Sequence, residues 1–351
     1  MRILHLLNHI QEIGNGIVNV AVDLACLQAE AGHTVVVASG GGEYDRLLTR
    51  YGVTHVTLDQ RRQPLNLLRA ARQYRSLVQT MQPDIVHAHM MTGMVLAWAL
   101  RGRSPYGLVS TVHNEFQRSA ILMGLADRVL AVSQSVANSM AQRGIPQSKL
   151  RVVCNGTLGS PREQLSELPP VVLQRPAIAT LAGMYHRKGI ADLITAFESL
   201  ATEFPNVHLY LIGNGPDRAE FEAQAQKTAI VDRIHFEGYQ AEPKRYLTAT
   251  DIFVLASRQE PFGLVLSEAR EAGCAIVASN VDGIPEALDG GKAGLLVPAA
   301  EPTALADAIA PLLRDPELLK EWKRRSHQNL DWLKVTRVYD ETQAVYAELV
   351  T

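Results

Sequence analysis

Residues 256–273, ASRQEPFGLVLSEAREAG, decide how the chain is read. The run just before them, DIFVLA at 251–256, is short, apolar and bounded by polar residues, the pattern of a buried parallel strand. An acidic loop, a Pro-Phe-Gly turn and a helix follow. In an open α/β sheet this order puts Glu260 at the carboxyl end of a strand, where ligands bind. The amides of Phe262, Gly263, Leu264 and Val265 are then uncommitted at a helix N-terminus, which makes an anion site. Glu268, further along the helix, can fold back over the same crevice. Two glutamates alone are an ordinary acidic helix start. With Pro261-Phe262-Gly263 between them and GCAIVASNVDGIPE at 273–286 downstream, they suit a ligand carrying hydroxyls, a phosphate and a diol.

Working outward, apolar strand-like runs alternate with helical segments along most of the chain, which argues for an α/β fold with doubly wound sheets. The first series includes 2–8, 33–39, 54–58, 84–88, 107–113, 128–133 and 150–153. A second begins at 177 and continues through 207–213, 233–238, 251–256, 275–279 and 294–297. Between them, residues 156–176 are rich in Gly, Pro and Ser and read as an interdomain linker. The expected organisation is therefore a first Rossmann-like domain at 1–155, the linker, and a second such domain at 177–334. The chain's 351 residues suffice for two cores.

Composition is that of a soluble globular chain, 47% hydrophobic and 20% charged, with no apolar run long enough for a transmembrane helix. The opening MRILHLLNHI reads as a first strand, too quickly polar for a signal peptide. Cys26, Cys154 and Cys274 lie far apart with no metal or pairing spacing, as expected of free thiols in a cytoplasmic protein. The net charge of −2 hides an asymmetry: residues 1–155 carry 15 Lys and Arg against 9 Asp and Glu, and the remainder is acidic.

Several other side chains fall at strand ends. His89 closes DIVHAH at 84–89 and His113 closes STVH at 110–113, so both point toward one cleft, while His87 faces the core. The loop LAGMYHRKG at 181–189 places Lys188, with Arg187 beside it, where a leaving phosphate would need positive charge. Gly213-Asn214-Gly215 is a second glycine turn, suited to shaping a base pocket that Gly238 and Tyr239 would border. Gly14 and Gly16 form a turn without the third glycine of a dinucleotide fingerprint, which weakens a dehydrogenase reading. No Asp-x-Asp occurs, so a metal bridging phosphates is not indicated and no cofactor is expected.

The Glu-x7-Glu spacing in EPFGLVLSE resembles the signature of the retaining family-4 glycosyltransferases, whose GT-B fold sets two Rossmann-like domains facing across a cleft. The resemblance implies transfer of a hexose or N-acetylhexosamine from a nucleoside-diphosphate sugar to a saccharide or lipid-linked acceptor, without metal and with retained anomeric configuration. It implies that Glu260 binds donor-sugar hydroxyls, that the Phe262–Gly263 backbone lines the sugar, that the Leu264 and Val265 amides meet the diphosphate, and that Glu268 holds the ribose. His113 then contacts the donor sugar, His89 lines the acceptor side, and Gly14 to Gly16 approach the donor phosphates. It further implies that a helix at about 335–351 crosses back to the first domain. Where the family has an arginine directly after Gly183, this chain has Met184, and Arg187 is the candidate substitute. Two other readings stay open: a sugar-nucleotide epimerase on the same architecture, and a nucleotide-sugar-binding protein without catalysis.

Residues 61–81, RRQPLNLLRAARQYRSLVQTM, carry Arg61, Arg62, Arg69, Arg72 and Arg75 and no acid. After Pro64, the residues Leu67, Ala71, Tyr74, Val78 and Met81 fall on one helical face. This is either an ordinary surface helix or one that meets an anionic membrane surface or a phosphorylated, lipid-linked acceptor. The second alternative would make the protein peripheral on the inner face of the cytoplasmic membrane. Nucleic acid is disfavoured because no aromatic stacking platform accompanies the arginines.

Overall fold

The structure, a computed structural model, describes residues 1–61, 63–163 and 168–350. It divides into two compact units, one formed by Met1–Gln164 with Lys334–Thr351, the other by Leu165–Leu333. The first unit contains strands β1 (Arg2–Leu6), β2 (Thr34–Ser39), β3 (Thr54–Thr57), β4 (Ile85–Ala88), β5 (Gly107–Val112), β6 (Arg128–Ala131) and β7 (Leu150–Val152). They pair in parallel in the order β3-β2-β1-β4-β5-β6-β7. The second contains β8 (Ala177–Leu181), β9 (His208–Ile212), β10 (Ile234–Gly238), β11 (Ile252–Leu255), β12 (Ala275–Ser279) and β13 (Leu295–Val297), in the order β10-β9-β8-β11-β12-β13. Central strands such as VVVA, IVHA and IFVL are buried along their whole length, because helices cover both faces of each sheet. Winding reverses between β1 and β4 in one sheet and between β8 and β11 in the other, and such switch points are where ligands bind in open α/β sheets.

The last helix, Val335–Ala347, belongs to the first unit. Its Val338, Val345 and Tyr346 complete a cluster with Ile3, Ile85, Val109, Leu130 and Val153. Just beyond it, Glu348 accepts hydrogen bonds of 2.7–2.8 Å from Arg128 and Arg151 at the sheet edge.

The stretch expected to be the interdomain linker, 156–176, is packed at both ends. Thr157, Leu158 and Ser160 are buried in the first unit, where Ser160 and Arg162 bond Asp23 on the helix Gly16–Glu30 at 2.7–2.9 Å. At the other end, Leu173 packs on the second sheet, the Gln174 amide donates to Tyr210 and Arg175 pairs with Asp251. The Gly, Pro and Ser at its two ends mark packed turns, and the division between the two units falls within the stretch. Residues 164–167 lie outside the described residues.

The basic helix spans Pro64–Met81, and its buried stripe is Ala70, Tyr74 and Val78. Leu67, expected in that stripe, is exposed, as are Leu65 (76%) and Leu68 (59%), because the first turn of the helix runs beyond the surface it covers. Arg62 lies outside the described residues.

Arg270 anchors the helix Leu264–Glu271 in the second unit. It is 1% exposed, and its guanidinium donates to the carbonyls of Ser326 (3.0 Å), Ala287 (2.7 Å) and Gln328 (2.5 Å). Burial lowers its pKa, so the charge is held at a desolvation cost that these three bonds offset. Arg270→Leu keeps much of the volume but strands the buried carbonyls of Ser326 and Ala287 and the part-buried one of Gln328. The expected loss is about 3–5 kcal/mol, read as a lowered urea midpoint for the second unit.

Candidate functional site

In the second unit the loops leaving β8 and β11 meet at the switch point. Gly189 ends the first loop with φ +65°, and a Cβ there would lie 1.9 Å from the Ala256 carbonyl oxygen at the start of the second. Only glycine permits that approach. The contact is reinforced where the Arg258 amide donates to the Arg187 carbonyl at 2.8 Å and the Arg258 guanidinium forks onto Asp192 at 2.7–2.8 Å. Lys188 consequently reaches Glu260 and pairs with its Oε2 in a close, mostly buried contact. Ser257 also donates to Oε2, at 3.1 Å.

A third loop fixes the backbone of Glu260. The Asp282 carboxylate accepts from the Glu260 amide at 2.8 Å, and the Gly283 amide donates to the Glu260 carbonyl at 3.1 Å. A Cβ at Gly283 would fall 2.1 Å from the Pro261 oxygen, so loops 256–263 and 280–283 lie backbone to backbone. Glu260 is thus 7% exposed, with one oxygen engaged and the other, Oε1, without a partner among the described residues. Gly263 then turns the chain at φ +87° into the helix Leu264–Glu271, whose N-terminus no side chain caps. The carboxylate and the ammonium are in contact, and a helix whose N-terminus attracts anions begins just after them at Leu264.

The remaining expected residues of this unit are less tightly gathered. Phe262 is buried, its ring near Trp332. Leu264, Val265 and Glu268 are half-buried on the helix. The turn Gly213-Asn214-Gly215 packs on the β8 loop, the Met184 amide donating to the Asn214 carbonyl at 3.0 Å. Tyr239, 52% exposed, follows the edge strand β10. Met184 is fully buried in the core, so a cation at this position could not stay along the same path without desolvation. Arg187 instead lies over the Tyr185 ring, 5.2 Å from its centroid.

In the first unit the switch point carries histidines. His5 lies on β1, His87 on β4, His89 directly after it and His113 directly after β5. They form one hydrogen-bonded run: Gln28 Oε1 to His5 Nε2 at 2.7 Å, His5 Nδ1 to His89 Nε2 at 2.9 Å, and His89 Nδ1 to His113 Nε2 at 3.2 Å. His87 bonds Tyr346 at 2.6 Å and Thr111 at 2.7 Å. Gly14, at φ +68°, precedes the helix that Gly16 opens, where Asn15 already takes the Ile17 amide at 3.1 Å.

Sequence reasoning placed the loop 280–286 beside the site without singling out Asp282 as the group that orients Glu260, and it missed His5, Gln28 and Tyr346 altogether. A histidine inside the apolar run ILHLL was the one available signal.

Burial drives His5 down to about 4 and His113 to about 3, and it holds His87 and His89 well below their ordinary 6.5. Each ring is therefore neutral in the fold but takes a proton when unfolded below pH 6.5. Stability of the first unit should be full above that pH and fall as pH drops toward 4, by on the order of 1.4 kcal/mol per pH unit per ring. Urea unfolding at a series of pH values checks this, and a His5→Gln variant should show a shallower slope.

Two family models match, one to each half: "Glycosyltransferase Family 4" over residues 14–157 and "Glycosyl transferases group 1" over 162–329. The chain is 26% identical over 231 residues to the N-acetyl-alpha-D-glucosaminyl L-malate synthase of Bacillus anthracis, covering 64% of this chain and 60% of that protein. It is 35% identical over 176 residues to the lipopolysaccharide core biosynthesis glycosyltransferase LpsD of Rhizobium meliloti, covering 48% of each. The matched stretch thus spans about half to three-fifths of the length of these curated relatives. Among solved structures, Anabaena Alr3699/HepE in complex with UDP and glucose superposes with a TM-score of 0.82 at 19% identity, over 99% of both chains, which shows the shared GT-B fold. With a family model on each half and both sheets wound in the family's manner, the chain belongs to the family-4, or group 1, glycosyltransferases.

Proposed function

We propose that this chain is a metal-independent, retaining glycosyltransferase of the cytoplasmic face, moving a hexose or N-acetylhexosamine from a nucleoside-diphosphate sugar to a saccharide or lipid-linked acceptor. The observation that carries this is the Glu260–Lys188 pair beside an uncapped helix N-terminus at the β8/β11 switch point. Departure of a diphosphate from an anomeric carbon builds negative charge on the leaving group and positive charge on the sugar. Stabilising the former is the largest lever available. Lys188 supplies an ammonium with N–H groups beyond the one given to Glu260. Arg187 and the Leu264 and Val265 amides add to it, and Glu268 suits the ribose. Glu260 keeps Oε1 for a sugar hydroxyl while Ser257 and Lys188 steady Oε2. The departing phosphate then takes the proton of the acceptor hydroxyl on the same face of the sugar, and no protein nucleophile is required. Relatives named for lipopolysaccharide core assembly support an acceptor of that kind, and neighbours bound to UDP support a nucleotide-sugar donor.

The acceptor side of this proposal includes an anionic membrane. Among the described residues no helix is long and apolar enough to cross one. The helix Pro64–Met81 nevertheless exposes Leu65 and Leu68 beside Arg69, Arg72 and Arg75, which have no acidic partner among the described residues. Arg61 contributes less, since Asp59 holds it at 2.6 Å.

Glu260→Gln and Lys188→Ala should each lower turnover about 100-fold or more with unchanged circular dichroism. The check is release of nucleoside diphosphate across UDP- and GDP-sugars; near-normal turnover in either variant would sink the assignment. For the helix, sedimentation with vesicles containing phosphatidylglycerol should show salt-sensitive binding. The triple change of Arg69, Arg72 and Arg75 to Ala should weaken it about 100-fold, at roughly 1 kcal/mol per basic residue. Equal binding to neutral vesicles would refute the electrostatic part.

A further inference from the structure

The histidine run in the first unit obeys a rule stricter than proximity. A neutral imidazole has one N–H and one bare nitrogen, and each ring-to-ring contact needs one proton between its two nitrogens. In the structure the Gln28 carbonyl oxygen faces His5 Nε2. That nitrogen must carry the proton, so His5 Nδ1 is bare and His89 Nε2 donates to it. His89 Nδ1 is bare in turn, and His113 Nε2 donates. The outermost ring is left with an unprotonated Nδ1. The same amide is consistent on its other side: Gln28 Nε2 points at the Tyr346 hydroxyl, 3.5 Å away, which is free to donate to His87 Nδ1, leaving His87 Nε2 to donate to Thr111. Turning the Gln28 amide over would reverse every one of these protons and leave His113 with an N–H at Nδ1.

We infer that Gln28, acting through His5 and His89, fixes His113 in the Nε2-protonated form, so that His113 Nδ1 is a bare acceptor for a neutral hydroxyl and rejects anionic oxygen. Gln28, His5 and His89 are positioning residues. A bare nitrogen welcomes an O–H and has nothing to offer a phosphate or carboxylate oxygen, so a buried glutamine selects a neutral hydroxyl at the site. Burial keeps all three rings neutral, which is the condition for the rule to hold; one added proton would supply two donors to a ring and break the order. The nitrogens of His5, His87 and His89 lie within 4.8 Å of one another, a spacing that invites a metal reading. Every nitrogen of these three rings is already engaged in a hydrogen bond, however, and the nearest pair shares a proton.

The test is the two-bond proton–nitrogen correlation spectrum of the full chain labelled with ¹⁵N-histidine at pH 7.5. His5, His89 and His113 should all report a proton on Nε2. Gln28→Leu, which removes the acceptor, should give His113 a measurable Nδ1–H fraction. Gln28→Glu, which keeps an acceptor toward His5, should retain the wild-type tautomers and guards against a Gln28→Leu chain that does not fold. An Nδ1–H signal at His113 in the wild type, or an unaltered His113 tautomer in folded Gln28→Leu, overturns the inference. Correct tautomers in a chain that turns over no nucleotide sugar would leave the proton ordering standing and sink the transferase proposal instead.

Discussion

The carbonyl oxygen of Ala256 occupies the space where any side chain at residue 189 would begin. That exclusion holds two loops from neighbouring strands against each other, and the chemistry of the second unit depends on it. Parallel winding already separates the ends of β8 and β11 onto opposite helical layers, which opens a crevice. Without a close backbone contact the crevice would be a gap between independently moving turns. Gly189 closes its base, Gly283 brings in a third loop by the same means, and Glu260 is then oriented by Asp282 and Ser257 rather than by its own rotamer preferences. The polar geometry thus rests on van der Waals exclusion between main chains.

Much of this was legible beforehand, for identifiable reasons. Strands buried on both faces must be apolar throughout, so runs such as IFVL and VVVA announce a parallel sheet, and their alternation with helices yields the doubly wound order. Glu260 and Lys188 stood out because glycine turns punctuate the ends of those strands. The histidine network was opaque because its members are joined across 23, 84 and 259 residues of sequence, and nothing local marks Gln28 or Tyr346. Periodicity placed the helix Pro64–Met81 but misassigned part of its stripe, since a repeat of 3.6 says which residues align and not where the packing partner ends. Composition at 156–176 signalled turns, yet Asp23, the partner that buries Ser160 and Arg162, lies 137 residues or more away.

The two units organise polarity differently. In the second, the largest buried cation, Arg270, is satisfied by main-chain carbonyls. In the first, polar groups enter the sheet itself, with His5 and His87 on adjacent strands in register. A fully satisfied buried network rigidifies and selects one packing, while a partly satisfied one is costly. The neutral rings answer that demand with proton order alone, at no Coulombic expense.

The position of the helix Val335–Ala347 has a consequence for biogenesis. Tyr346 bonds His87, Val338 and Val345 close the cluster under β1 and β4, and Glu348 joins Arg128 to Arg151. The amino-terminal half emerges first from the ribosome yet lacks these groups until more than 180 further residues have been translated. The intervening half, contiguous in sequence, can mature while its predecessor waits, so the order of completion reverses the order of synthesis.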